Sequence, residues 1–288
     1  GIHPTFKDQS ATLSPVGAKL LWEEVNGLIT GVSYENGKIY FACSGKDGNA
    51  LIGATDAEGN VIWSWNIWST SEPADLTLGD WVFMDRNLGA ENYNADYYRN
   101  GFMYQWGRKD PFPAGGGYAA PTPFKFYPNL YPTFGGIRAQ QTLAYSITNP
   151  TIFIDNTPDW SSDAQATSFW GDTKTIYDPC PPGWRIPTKT MLETSDNRTF
   201  ITSNQMTINY GGSQYTLYHS HAGFGGWNGS EFSYGNAGGT GYYWTSNSIT
   251  SGDGVGGAYN YRTNGSGLNP YGYSQRGHGY TVRPVKDL

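Results

Sequence analysis

Glycine and proline interrupt this chain so often that long helices have little room to form. The 288 residues include 39 Gly and 17 Pro, and from residue 72 onward short apolar runs alternate with stretches rich in Gly, Pro, Tyr and Asn. Aromatic residues nevertheless make up 16% of the chain, which is more than disordered sequences carry. The composition therefore predicts a β-rich α+β globular protein with long ordered loops. Helix signals are confined to a segment that starts at Thr188 and to part of 139–147.

Residues 1–72 are predicted to form a small β-sandwich-like module. Segments 28–34 and 38–43 flank Asn36-Gly37, a pair suited to a type I′ hairpin turn. Segments 49–55 and 60–68 flank a second turn, and alternation along the latter strand predicts Val61, Trp63, Trp65 and Ile67 on one face. Because strand tryptophans are usually core residues, we expect these rings to be buried rather than to form a sugar-stacking platform.

The charge pattern disfavours some classes of partner but does not indicate the cellular location. The formal net charge is −6 and no Lys/Arg run exists, so we expect no nucleic acid partner and no anionic membrane surface. No stretch of 18 apolar residues is present, so we expect no transmembrane segment. The start, GIHPTF, has neither an initiator Met nor an apolar signal region, and we expect the native N-terminus, export signal and any anchor to lie outside this sequence.

Six segments occur in an order that resembles a known family. They are WSWNIW at 63–68, MDRNLGA at 84–90, YQWGRKDPF at 104–112, DPCPPGWRIPT at 178–188, YWTS at 243–246 and YTVRPVKD at 280–287. Together they resemble the Fibrobacter succinogenes major paralogous domain, a family common in surface and fimbrillin-like proteins of Bacteroidetes. The resemblance implies a C-type-lectin-like or formylglycine-generating-enzyme-like domain over 73–288, with 1–72 as the preceding β module. It also implies an exported protein at the cell surface, outer membrane or fimbrium. We expect Trp63, Trp65, Trp106 and Trp184 to be substantially buried.

The two cysteines, Cys43 and Cys180, are too few for a disulfide framework. The resemblance implies a Cys where this chain has Pro284, and that Cys is the partner expected for Cys180. Cys180 is then either a buried free thiol or the partner of Cys43. We favour the free thiol, because a bridge between two modules needs Cα atoms within about 7 Å.

No constellation in the sequence predicts catalysis. Patterns for a nucleophile elbow, a zincin or a P-loop are absent. Trp184–Thr188 resembles formylglycine-generating enzymes, but their chemistry uses two late cysteines and this chain has none after Cys180. His219 and His221 lack a third metal ligand nearby and are interpreted as solvent-facing loop residues. Asp47-Gly48-Asn49 and Asp253-Gly254 are possible Ca²⁺ ligands or plain turn residues, so we predict no cofactor and keep Ca²⁺ as an open alternative.

The segment 210–280 is the predicted contact surface, because Tyr, Asn and Gly together form adaptable binding surfaces. Trp227 is the strongest candidate, since glycines on both sides predict an indole at a flexible loop tip. Asn228 and Glu231 are candidates for bonding sugar hydroxyls, and Arg276 for meeting the carboxylate of an acidic sugar. The predicted ligand-binding residues are Trp227, Asn228, Glu231, Tyr271, Tyr273 and Arg276.

These features favour a non-enzymatic adhesin or fimbrial tip-like subunit that binds a glycan or a host or microbial surface protein. A purely structural pilus or surface-layer subunit is the alternative, possible partners then being other pilus subunits. The segment 280–286 is interpreted as an internal strand with no further segment that could be donated to a neighbouring subunit. This disfavours a role as a repeating subunit of the pilus shaft. A degenerate enzyme of the formylglycine-generating type is the third hypothesis.

Overall fold

A computed structural model of the chain describes residues 13–91, 100–114, 133–192, 197–202, 205–210, 213–249, 256–264 and 267–287. Across these segments strands dominate, with one short α-helix and two described 3₁₀ turns, so the predicted β-rich α+β class is confirmed. None of the described helices combines the length and the apolar character needed to cross a bilayer.

The first five strands build two small sheets. They are β1 (Gly17–Glu23), β2 (Ile29–Glu35), β3 (Lys38–Cys43), β4 (Gly48–Thr55) and β5 (Val61–Ser69). β1, β4 and β5 pair antiparallel in the order β1-β4-β5, and β2 pairs with β3. Asn36 and Gly37 have φ values of 51° and 76°, the left-handed pair that a type I′ turn requires. Buried Ile39 and Ile52 belong to an apolar cluster to which both sheets contribute.

The strand β5 does not alternate as predicted. A register shift pairs Ala54 with Trp63 but Thr55 with Val61, which leaves Ile62 as an extra residue. Ile62 and Trp65 consequently pack against the same cluster, while the ring of Trp63 lies 6.2 Å from that of Tyr177. The prediction of a single continuous face from Val61 to Ile67 was wrong, because the bulge lies between Val61 and Trp63, and Trp63 contacts Tyr177 whereas Trp65 packs against this cluster.

The middle of the chain contributes short strands and the single described α-helix. The strands are β6 (Asp75–Leu78), β7 (Trp81–Met84), β8 (Phe102–Gln105), β9 (Phe112–Pro113), β10 (Gly135–Ile137), β11 (Ile152–Ile154) and β12 (Trp184–Arg185). Helix α1 (Leu143–Thr148) begins after Thr142, whose side chain accepts from the Tyr145 amide. The 3₁₀ turns span Ala166–Ser168 and Lys189–Leu192. Both predicted helix segments are therefore helical, and the one after Thr188 is a 3₁₀ turn.

The last part of the chain forms the largest sheet. The strands of this part of the chain are β13 (Asn197–Thr202), β14 (Gln205–Tyr210), β15 (Ser213–Tyr218), β16 (Phe224–Trp227), β17 (Phe232–Gly235), β18 (Thr240–Ser248), β19 (Gly257–Asn264), β20 (Gly267–Gln275), β21 (Gly279–Thr281) and β22 (Val285–Lys286). The large sheet has the order β17-β16-β21-β18-β19-β20, with β8 pairing beside β21. β13-β14-β15 is a separate sheet, and β22 joins β12, β7 and β6.

One aromatic core joins the N-terminal strands to the rest of the chain. Trp22 of β1 stacks on Phe102 of β8 with ring centroids 5.6 Å apart, and both belong to the largest buried cluster. Trp63 and Trp106 are buried, and Trp65 and Trp184 are half-buried. The predicted burial of these four rings is confirmed.

Both cysteines are free. Cys180 is buried and unpaired, as predicted. Cys43 ends β3 and is exposed, so it is open to reagents in the folded protein.

Candidate ligand-binding site

A pocket of about 420 Å³ opens on the large sheet. Residues of five adjacent strands, in the order β16-β21-β18-β19-β20, supply most of its wall. The lining consists of Pro158, Phe224, Tyr242, Gly257, Arg262, Tyr273, Ser274, Gln275, His278 and Tyr280. This size falls within the range of small-molecule sites, and the mix of rings and a few polar groups is typical of them.

The aromatic floor of the pocket follows from the alternation of side chains between the two faces of the sheet. Tyr242 belongs to the main core cluster, whereas its neighbour Tyr243 belongs to a second cluster and stacks on Tyr261 with centroids 4.7 Å apart. Tyr280 lies 4.9 Å from Tyr242 and 4.2 Å from Trp244, ring to ring. Phe224 meets Tyr242 edge-on at 5.6 Å. These packed rings make a rigid floor.

Tyr273 stands at the rim. It is 58% exposed, while Tyr242 and Tyr280 on the floor are 8% and 2% exposed. A ring with one free face at a pocket mouth is well placed to cover an entering ligand.

The polar wall is organised around Arg262. Its Nε donates to Asn260 Oδ1 at 3.1 Å, and its Nη2 donates to the carbonyl of Tyr273 at 2.8 Å and to Ser274 Oγ at 3.2 Å. The guanidinium carbon lies 5.3 Å from the centre of the Tyr242 ring. These contacts hold the guanidinium in a single orientation.

Two further groups of the wall are neutral near pH 7. The Tyr280 hydroxyl donates to Ser274 Oγ at 2.5 Å, and burial raises the pKa of Tyr280 to about 12. Burial lowers the pKa of His278, more than the nearby Asp155 raises it. The pocket therefore offers hydroxyl and imidazole groups for hydrogen bonds and a single fixed positive charge.

The predicted site residues divide between this pocket and two other places. Tyr273 lines the pocket. The Tyr271 side chain lies outside what the structure describes, although its backbone is part of β20. Trp227, Asn228 and Glu231 lie in the β16–β17 hairpin, and Arg276 lies in the interior.

Trp227 is not at a flexible loop tip. It is the last residue of β16, it is half-buried, and its ring meets that of Phe232 edge-on at 5.4 Å. Its backbone N–H donates to Asp155 at 2.5 Å, and any side chain at Gly136 would overlap the indole. The glycine-rich neighbourhood reflects this close packing, so the prediction of a free indole was wrong.

Asn228 and Glu231 form the hairpin turn. Asn228 Oδ1 accepts from the amides of Ser230 and Glu231 at 2.9 and 3.0 Å, and its own N–H donates to the Glu231 carbonyl. Both residues are exposed. Asn228 therefore uses its carbonyl oxygen to hold the turn.

Arg276 is a buried structural residue. Its Nη2 lies 2.5 Å from Asp159 Oδ2, its Nε donates to the Gly256 carbonyl at 3.3 Å, and its guanidinium carbon lies 5.4 Å from the Trp106 ring. The charge that was expected to meet an acidic sugar is instead neutralised by Asp159.

Sequence reasoning missed Phe224, Tyr242, Arg262, His278 and Tyr280 as parts of one site. Tyr242 and Tyr280 stand at the edges of the YWTS and YTVRPVKD segments. The signal that they share a face, period-two alternation in each strand, is visible only once the strand order is known.

The two histidines that follow β15 are buried. His219 and His221 are 2% and 5% exposed, so their interpretation as solvent-facing residues was wrong. Burial lowers the pKa of both, and Arg283 lowers that of His219 further. In the part of the chain that the structure describes, no three His, Cys, Asp or Glu side chains gather into a possible metal site.

The possible Ca²⁺ ligands differ in placement. Asn49 is buried, and its amide donates to Glu24 Oε2 at 2.9 Å and to the Gly89 carbonyl at 2.8 Å. Asp47 is exposed, and Asp253 and Gly254 lie outside the described residues.

No family model, curated protein or solved structure matches this chain. The resemblance drawn from the six sequence segments therefore remains a prediction.

Proposed function

We propose that this chain is a cell-surface adhesin or fimbrial tip-like subunit that binds a glycan by taking one sugar residue into the pocket. The observation that carries the proposal is the combination of the Tyr242, Tyr280 and Tyr273 rings with the fixed donors and acceptors of Arg262 and Ser274 in one opening. Sugars present apolar C–H faces that stack on aromatic rings and hydroxyls that both donate and accept.

The side chains of the pocket are already ordered before a ligand binds. The floor rings are packed against Trp244 and Phe224, and Arg262 is held by three hydrogen bonds, so little side-chain freedom is lost when a ligand enters. A pocket of about 420 Å³ suits a single sugar residue at the end or branch of a longer chain.

The surface location is proposed from the sequence alone. The six segments that resemble the paralogous domain point to an exported protein of the cell surface, outer membrane or fimbrium. A glycan-binding pocket is consistent with that setting, since its ligands are carried by host or microbial surfaces.

A glycan-array and host-protein screen, run with and without EDTA, tests the proposal. We expect binding to at least one glycan, unchanged by EDTA, and lost at least tenfold when Gln275→Trp fills the pocket mouth. Gln214→Trp is the matched control, because Gln214 is exposed on β15 and does not line the pocket. Absence of glycan binding, or binding that Gln275→Trp leaves unchanged, would contradict the proposal.

A further inference from the structure

We infer that the pocket selects acidic saccharides, with Arg262 binding a carboxylate of the sugar. This inference rests on the proposed function and adds the chemical class of the ligand. Among the described residues that line the pocket, Arg262 is the ionic side chain and none carries a carboxylate. A chain with a net charge of −6 thus presents a positive charge at its pocket.

Arg262 differs from several other buried or half-buried cations of the described chain in having no carboxylate partner there. Arg86 pairs with Asp85, Lys109 with Asp110 and Arg276 with Asp159. Among the residues described, no carboxylate oxygen pairs with Arg262, and its three hydrogen bonds all end on neutral oxygens. A half-buried guanidinium without a counter-ion in an aromatic pocket favours an anionic ligand.

The geometry of the guanidinium suits a carboxylate. Nε and Nη2 are occupied by Asn260, Tyr273 and Ser274, while Nη1 has no hydrogen-bond partner in the described part of the chain. Nη1 therefore keeps its two N–H groups for a ligand, and hydrogen bonds from arginine to a carboxylate are about twice as strong as neutral ones. The neighbouring Tyr280 hydroxyl is not ionised near pH 7, so it does not repel an anion.

Matched sugar pairs test this selectivity. The probes are methyl glycosides of glucose and galactose beside their uronic acids, in which a carboxylate replaces the C6 hydroxymethyl group. We expect at least one acid to bind about tenfold or more tightly than its neutral partner at low ionic strength. We expect that preference to shrink as salt is added.

Arg262→Gln is expected to abolish the preference while leaving weak binding of both sugars. Arg138→Gln is the control, because it removes an equal charge from an exposed arginine outside the pocket. Arg262→Lys keeps the charge without the planar fork and should retain part of the preference, with melting temperatures confirming that each variant folds.

The outcomes separate the two proposals. Equal binding of acid and neutral sugars, still blocked by Gln275→Trp, would overturn the selectivity and leave glycan binding intact. A preference that survives Arg262→Gln in a folded variant would also overturn it. No binding of any probe or arrayed glycan would overturn the proposed function, and the selectivity with it.

Discussion

Arg276 and Asp159 form a buried ion pair behind the pocket wall, with Nη2 and Oδ2 2.5 Å apart and side chains 5% and 10% exposed. The pair fixes more than charge. The backbone N–H of Arg276 donates to the Pro158 carbonyl, and both Pro158 and Gln275 line the pocket. The Asp159 carboxylate also accepts from the Ser161 amide at 3.1 Å. The ion pair therefore holds together two segments that shape the site.

Removing one partner of this pair should destabilise the fold strongly. Arg276→Met leaves the Asp159 carboxylate buried without its counter-ion, and such changes cost about 3–5 kcal/mol. The double variant Arg276→Met/Asp159→Asn should cost less than the sum of the single changes, because no charge is then stranded. Urea unfolding measures both values. A loss below about 1 kcal/mol for Arg276→Met would contradict a structural role.

Trp227→Ala should reduce stability rather than binding. The ring packs on Phe232 and over Gly136, and its loss opens a cavity at the edge of the core. A cost of roughly 2–3 kcal/mol is expected, less than for a fully buried tryptophan. Glu231→Ala, four residues away and exposed, is the control and should stay within about 0.5 kcal/mol of the wild type. A melting temperature unchanged by Trp227→Ala would show that the indole is not packed.

Lowering the pH should destabilise the folded protein through its buried histidines. The folded-state pKa of His219 lies well below its ordinary value, so below about pH 6.5 the unfolded chain takes up a proton that the folded chain does not. Stability from this group is present above that pH and is lost as the pH falls, by up to about 1.4 kcal/mol per pH unit.

The test compares the pH dependence of His219→Gln with that of the wild type. Glu24 acts in the opposite sense, because burial raises its pKa to about 7 and its contribution is lost as the pH rises from about 4.5 to 7. The difference between the two proteins isolates the histidine. Between pH 7.5 and 5.5, His219→Gln should lose about 1 kcal/mol less unfolding free energy than the wild type. Parallel curves would mean that the pKa of His219 is not lowered in the folded state.

Local rules predicted the hairpins and short helices, while features that depend on strand order escaped them. The turn at Asn36-Gly37 and the helix predicted within 139–147 are decided by residues close together in the chain. The bulge at Ile62 depends on how β5 pairs with β4. The pocket depends on β21 inserting between β16 and β18, which brings Phe224, Tyr242 and Tyr280 together.

The errors at single site residues have the same cause. Trp227 lies among glycines in sequence, yet the ring that covers it belongs to Phe232 across a hairpin, and its close neighbour Gly136 is distant in the chain. Arg276 has no acidic neighbour in sequence, and its partner Asp159 comes from another loop. Composition pointed to 210–280, which supplies most of the pocket lining, and of the predicted residues whose side chains are described Tyr273 lies in the pocket.

The most direct test of glycan binding in the pocket is the affinity of Tyr273→Ala, measured by isothermal titration with the glycan that binds best in the array. Loss of the exposed rim ring should weaken binding about 5- to 150-fold, which corresponds to roughly 1–3 kcal/mol, with little change in melting temperature. Tyr40→Ala removes another exposed tyrosine, on β3 outside the pocket lining, and should leave the affinity unchanged. Equal affinity for Tyr273→Ala and Tyr40→Ala would contradict a glycan site in this pocket.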